Sequence, residues 1–159
     1  MAVTLNLNLL FGPEETISED ALSTSVTHDG YNLSGVSLTS ATTPPVTKCS
    51  FQDYALSGGT KTIDLTALLG LKNESQDCTG LKLQFLVFIN AASNADMVIS
   101  GEGANGYSLG AARTINGGTA ANYDIMYAPE SLPDVASGAK NLVVTGTGSQ
   151  SFKLGVVLG

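Results

Sequence analysis

Residues 81–90, Leu-Lys-Leu-Gln-Phe-Leu-Val-Phe-Ile-Asn, constrain the fold more than any other stretch of this chain. Leu81, Leu83, Phe85, Val87 and Ile89 occupy every odd position, the period-2 pattern of one buried sheet face. The even positions begin with Lys82 and Gln84 and then turn apolar at Leu86 and Phe88. The strand therefore passes from half-exposed to buried on both faces. Such a strand belongs inside a sandwich or barrel, where both faces are covered.

Around it the chain continues in short apolar runs punctuated by Gly, Asn, Asp and Pro. The expected strands are Val46–Leu56, Lys61–Leu65, Leu81–Asn90, Met97–Ser100, Ala111–Ile115, Asn122–Tyr127, Asn141–Thr145 and Ser151–Leu158. The last places Phe152, Leu154, Val156 and Leu158 on one face. Asn105-Gly106 and Asn116-Gly117 signal tight turns, and Thr66–Leu71 fits one helical turn. Eight strands so spaced predict an all-β, antiparallel β-sandwich, with jelly roll the leading version.

The first 45 residues differ from the rest. They hold Glu14, Glu15, Glu19, Asp20 and Asp29 with no Lys or Arg, against nine acids and seven bases in the remaining 114. Of the net charge of −7, −5 sits in this segment. Val3, Leu5, Leu7 and Leu9 alternate with polar residues as one strand, Pro13–Leu22 fits a short helix or a loop, Asp29-Gly30 marks a turn, and Tyr31–Thr39 is a weak strand. A Thr/Pro connector, Ser40–Pro45, separates an N-terminal arm (1–45) from a sandwich domain (46–159). Val3–Leu9 is open to two readings: a strand added to a neighbour's sheet edge, or a strand of the chain's own sandwich.

Charge and composition narrow the function. Charged residues make up 13% of the chain, about half the usual share, so the surface is covered by Ser, Thr, Asn and Gly. Phosphate binding requires clustered Lys and Arg, and one arginine with six scattered lysines argues against nucleic acid as a partner. No basic, apolar leader is expected at Met1–Phe11. The longest apolar run, Phe85–Ile89, is far too short to span a bilayer, so no membrane partner is expected. Asn32-Leu33-Ser34 and Asn73-Glu74-Ser75 match a glycosylation pattern that has no meaning without secretion. Cys49 and Cys78 permit one disulfide, and free thiols are the expectation for a chain made in a reducing cytosol.

Candidate chemistry is sparse. Gly101–Gly106 spells G-x-G-x-x-G, with Asp124 some twenty residues on, but no helix follows to hold a pyrophosphate; a loop is expected. His28, the sole histidine, would have to carry any Ser/His/Asp chemistry and reads as a solvated residue. Glu74 with Asp77, or Asp96 with Glu102, lack metal-site spacing. Tyr107, Tyr123 and Tyr127 suit either sugar stacking or packing, with packing favoured. No catalytic residue, cofactor or metal is expected, and a small sandwich hydrolase is a remote alternative.

The ordered series Thr43–Thr47, Leu56–Leu68, Gly80–Gln84, Gly103–Tyr107 and Val143–Gly148 resembles small β-rich virion proteins of tailed bacteriophages that decorate or cement the head. The resemblance spans residues 40–159. It implies a non-enzymatic structural role in the virion and the major capsid protein as partner. Symmetric copies, most simply a homotrimer, would bind the shell through many weak contacts. An arm anchor would then comprise Val3, Leu5, Leu7 and Leu9 with Glu14, Glu15, Glu19 and Asp20. The alternative is a carbohydrate- or receptor-binding virion module using the loops Gly103–Tyr107 and Ala128–Gly138.

Overall fold

The computed structural model of the chain describes residues 37–70, 73–128 and 131–159 in full, and within residues 1–36 the backbone pairing of short strands. In chain order those N-terminal strands are β1 (Leu5–Leu7), β2 (Leu10–Phe11), β3 (Glu14–Glu19), β4 (Leu22–Thr27), β5 (Tyr31–Asn32) and β6 (Val36–Leu38). The body contains β7 (Lys48–Ala55), β8 (Thr60–Asp64), β9 (Leu68–Leu69), β10 (Ser75–Gln76), β11 (Leu83–Asn90), β12 (Met97–Ser100), β13 (Arg113–Ile115), β14 (Asn122–Tyr127), β15 (Asn141–Thr145) and β16 (Ser151–Leu158). The chain is an all-β, antiparallel sandwich, as its spacing predicts.

Two four-stranded sheets form the sandwich, ordered β14-β11-β16-β7 and β13-β12-β15-β8. Both are antiparallel throughout. Numbering the eight principal strands along the chain, one sheet runs sixth, third, eighth, first and the other fifth, fourth, seventh, second. The last strand, β16, thus lies between the first and the third, and its even residues Phe152, Leu154, Val156 and Leu158 are all buried. Between the sheets these meet Leu86, Phe88, Met97, Ile99, Leu142 and Val144. Phe88 and Phe152 stack with ring centroids 5.0 Å apart, and Tyr54 continues the stack at 5.6 Å from Phe152.

The strand that anchors the sequence reading sits in the interior as expected, but its faces are exchanged. From Phe85 onward the buried positions are the even ones, Leu86, Phe88 and Asn90, while Phe85, Val87 and Ile89 are half-buried. The register explains the exchange. Leu83 pairs with Leu158 and Phe85 with Val157, so two residues of β11 face one of β16. A bulge of this kind shifts the side-chain parity by one. Leu83 points into the core before the bulge and Leu86 after it.

A buried tyrosine seals that irregularity. Tyr107 is fully buried; its hydroxyl accepts from the Leu83 N–H at 3.1 Å and donates to the Pro133 carbonyl at 2.7 Å. It thereby ties the start of β11 to the segment after β14, where Leu132 and Val135 are also buried.

The helical turn expected at Thr66–Leu71 is a 3-10 turn at Leu65–Ala67, followed by β9 paired with β10. Asp64 caps it by accepting from Thr66 N at 2.8 Å, and Lys140 Nζ binds the other carboxylate oxygen at 2.6 Å. Pro13–Leu22, read as helix or loop, carries β3 instead, in antiparallel register with β4 from Glu14↔Thr27 to Glu19↔Leu22. Ile17, Thr16 and Thr24 are β-branched, which favours strand over helix once a partner strand lies opposite. Asp29-Gly30 lies outside the described residues.

β1 pairs with β6, β2 with β5 and β3 with β4, each pair being a two-stranded sheet. In the sequence the three pairs are nested, β3 and β4 innermost and β1 and β6 outermost. Leu38 is buried with Val46 and Val157, and Cys49 and Phe85 pack beside them.

Candidate functional site

Sheet alternation places three rows of side chains on the outer face of β14-β11-β16-β7. The rows are Tyr127–Phe85–Val157–Cys49, Ile125–Val87–Gly155–Phe51 and Tyr123–Ile89–Lys153–Asp53. Ten of these twelve positions are uncharged, and the two charges neutralise each other through Lys153 Nζ to Asp53 Oδ1 at 2.5 Å. Phe51, Tyr123, Ile125 and Tyr127 are 47%, 71%, 42% and 44% exposed. Together they show water on the order of 400–500 Å² of mostly apolar surface, the size at which a patch on a single chain is commonly functional.

The opposite sheet shows what a solvated face looks like in this protein. Its outer rows carry Thr60, Thr62, Thr114 and Thr145, with Val98 and Val143 among them. An antiparallel sheet normally covers one face and wets the other with polar residues. The β13-β12-β15-β8 sheet follows that rule and its partner departs from it.

Gly155 shapes the centre of the apolar face. A Cβ there would lie 2.7 Å from Phe51 Cδ2 and 2.7 Å from Val87 Cγ1. The missing side chain lets the Phe51 ring lie over the strand and leaves a shallow trough lined by Phe51, Phe85, Val87 and Val157. At the Tyr123 end the face runs into a recess of about 420 Å³ lined by Ile89, Ala91, Ala92 and Ala121 together with the paired Asp53 and Lys153. At the other end, Leu38 and Val46 already cover Val157, leaving it 8% exposed.

This finding corrects the packing reading of Tyr123 and Tyr127. Both lie on the outer face with Ile125, and Met126 is the buried member of their strand. Tyr107, grouped with them by sequence, is in the core. Phe51, Phe85 and Val87 were not singled out as surface residues by the sequence. The signal was present, since β11 is apolar on both faces, but alternation says only that a face is apolar and not what covers it.

Of the other candidates, Gly101–Gly106 is a loop, as expected. A Cβ on Gly101 would lie 1.7 Å from the Tyr107 carbonyl oxygen, and one on Gly106 1.7 Å from that of Gly101. These two glycines permit the backbone to cross itself and present no helix N-terminus. Asp77 accepts from Thr79 N and Oγ1 at 2.9 and 2.6 Å, and Asp96 from Gly117 N at 2.7 Å. Asp77 closes its own turn, and Asp96 ties the segment before β12 to the Asn116-Gly117 turn after β13. Among the described residues, no three His, Cys, Asp or Glu gather where they could hold a metal ion. Cys49 and Cys78 are free thiols, and burial pushes the Cys78 thiol up to about 11.

Leu5 and Leu7 stand in register with Leu38 and Val36. Glu14, Glu15 and Glu19 lie on β3 opposite Thr27, Val26 and Leu22. Val3, Leu9, Asp20 and His28 lie outside the described residues.

The chain's single arginine is used structurally. Arg113 on β13 donates from Nε to Asp124 Oδ2 and from Nη2 to Oδ1 at 2.7 Å, a bidentate clip between edge strands of the two sheets. The guanidinium hydrogen bonds hold the Asp124 carboxyl below its usual range, against a smaller opposing effect of burial. A carboxyl lowered on folding stabilises the fold above its ordinary value of ~3.9 and ceases to do so as pH falls through the depressed one. Asp124→Asn is therefore expected to cost about 1 kcal/mol near neutrality, since both side chains retain water contact. Between about pH 5 and about pH 2 the variant should lose less stability than wild type, a difference that urea titrations across that range measure.

Compared with protein-family models, with curated proteins and with solved structures, the chain finds no match.

Proposed function

We propose that this protein is a structural component of a tailed-phage virion, a cement or decoration protein that stabilises the head by multivalent binding to the major capsid protein. The observation that carries the reading is the apolar outer face of β14-β11-β16-β7, on which Phe51, Tyr123, Ile125 and Tyr127 stand exposed among the described residues, a surface suited to protein association. Three further features support it. The interleaved strand order, with the first and last strands of the sandwich adjacent in one sheet, supports the jelly-roll version of the fold. Residues 5–38 carry five carboxylates and no Lys or Arg, suited to meeting basic groups on a shell. The residue series that resembles phage head proteins is spread along the sandwich from its first strand to its last connection.

In this reading copies associate with one another, most simply as trimers, and the acidic N-terminal segment anchors each copy to capsid subunits. Removing residues 1–36, a cut that keeps Leu38 on the body, is expected to leave a folded sandwich by circular dichroism that no longer sediments with empty capsids. Neutralising Glu14, Glu15, Glu19 and Asp20 together should weaken binding mainly at low salt, because exposed ion pairs are screened while apolar burial is not. A folded, truncated chain that binds capsids as well as wild type would refute the anchoring role.

The 71% exposure of Tyr123 favours a second reading, a carbohydrate- or receptor-binding virion module in which the tyrosines stack on sugars. Glycan-array binding lost on Tyr123→Ala and Tyr127→Ala, with capsid binding absent, would select it.

A further inference from the structure

We propose that the cleft between edge strands β13 and β14 binds a neutral saccharide, with Tyr123 stacking on a sugar ring and Arg113, Thr114, Asn116 and Asp124 bonding its hydroxyls. The inference extends the glycan-binding reading by naming a site, and it rests on that reading.

The cleft measures about 420 Å³, within the ~300–1,000 Å³ usual for small-molecule sites. It opens where the two sheets meet at their edges, and its polar lining is Arg113, Thr114, Asn116, Asn122, Tyr123 and Asp124. Tyr123 stands at the end of β14 away from Phe85 and Val157, the residues beside which Leu38 and Val46 pack. Backbone hydrogen bonds fix one wall, the Asn116-Gly117 turn. The Asn116 carbonyl accepts from Asn90 and Asn122 Nδ2, each at 3.2 Å, and the Gly117 N–H donates to Asp96 at 2.7 Å. A wall fixed in advance spares a ligand the cost of ordering it.

Charge and hydrogen-bonding capacity select the ligand class. Arg113 and Asp124 neutralise one another through two hydrogen bonds, and no further charged side chain lines the cleft. An anion would meet no free cation there, and a metal ion no free carboxylate. An apolar ligand would strand the polar lining. Donors and acceptors are nonetheless both on offer. The bidentate clip leaves Arg113 Nη1 to donate, and a carboxylate oxygen that holds one donor has a second lone pair for another. The side chains of Thr114 and Asn116 are exposed and make no hydrogen bond among the described residues. Beside them Tyr123 is the most exposed of the large hydrophobic side chains. A sugar matches this set, with hydroxyls that donate and accept, no charge, and a C–H face that packs on an aromatic ring.

The test is binding of the full chain to an array of neutral oligosaccharides set beside sialylated and sulfated ones, followed by calorimetric titration of the neutral oligosaccharide that binds most tightly. Thr114→Ala combined with Asn116→Ala is expected to weaken binding at least about tenfold, and Tyr123→Ala to do the same. All three side chains are exposed, so the fold survives, as circular dichroism would verify. Thr62→Ala, on the outer face of the opposite sheet, should leave the affinity unchanged.

A preference for sialylated or sulfated glycans would overturn the neutral chemistry. Neutral-glycan binding that survives the Thr114→Ala, Asn116→Ala variant would overturn the cleft; if Tyr127→Ala then abolishes it, the glycan-binding reading stands with its site on the outer face. A wild-type chain that binds no glycan would sink the cleft and that reading together.

Discussion

Phe88→Asp is expected to abolish folding, while Val87→Asp, one residue away, leaves a folded chain. Phe88 is fully buried between the sheets and stacks on Phe152 at 5.0 Å. An aspartate there loses the aromatic contact and buries a charge with no partner. That class of change rivals the ~5–15 kcal/mol that holds an ordinary domain together. Val87 lies on the outer face and is half-buried, so its aspartate variant keeps access to water and should cost about 1–2 kcal/mol. Circular dichroism and urea melts of the two proteins separate the outcomes. The reverse result, an unfolded Val87→Asp beside a stable Phe88→Asp, would show that the odd positions of β11 face the core and that the bulge at Leu83–Phe85 is wrong.

Asn90→Ala is expected to be the most damaging polar substitution in the body. Asn90 ends β11 fully buried, and its Nδ2 group lies 3.0, 3.3 and 3.2 Å from the carbonyl oxygens of Ala95, Ile115 and Asn116. Its Oδ1 accepts from Asn94 Nδ2 at 2.9 Å, and the same Nδ2 reaches Ser151 O at 2.8 Å. One side chain therefore pins the β11–β12 turn, the end of β13 and, through Asn94, the start of β16. Alanine would take the donor from the Ala95 and Ile115 carbonyls, while the Asn116 carbonyl keeps Asn122 Nδ2 at 3.2 Å, and the expected loss is about 2–4 kcal/mol, read as a shift in the urea midpoint with unchanged slope. Asn94→Ala removes only the outer partner and should cost about 1 kcal/mol. Equal, small effects from both substitutions would mean that Asn90 is not the hub of this junction.

Local patterning made most of the sandwich legible. The bounds of Met97–Ser100, Asn122–Tyr127, Asn141–Thr145 and Ser151–Leu158 coincide with the observed strands. Here alternating apolar residues end at Gly, Asn or Ser, and both signals act within a few residues. The 3-10 turn was legible too, because Asp64 and Thr66 cap it with their own side chains. Asn90 was visible as a strand end but not as a hub, since its partners come from Ala95, Ile115 and Asn116 and are brought together only by the fold.

The outer face was the least legible part. Tyr123, Ile125 and Tyr127 share one side of a strand in the sequence as in the structure, and alternation alone reads such a side as core. Phe85 and Val87 were assigned inward on the same grounds. One residue of bulge, invisible in the residue pattern, sends them outward.

The sequence by itself determined that this chain is a sandwich of short antiparallel strands, that most of its net negative charge lies in the first 45 residues, and that its last strand carries one apolar face. These are consequences of period, composition and turn chemistry, all local quantities. Which side of β11 faces the core, which sheet carries the polar outer face and which the apolar one, and what Tyr107 and Asn90 bind were decided by the tertiary structure. The physical reason is that burial is set by what lies opposite a side chain, and the opposing sheet comes from residues tens of positions away in the chain.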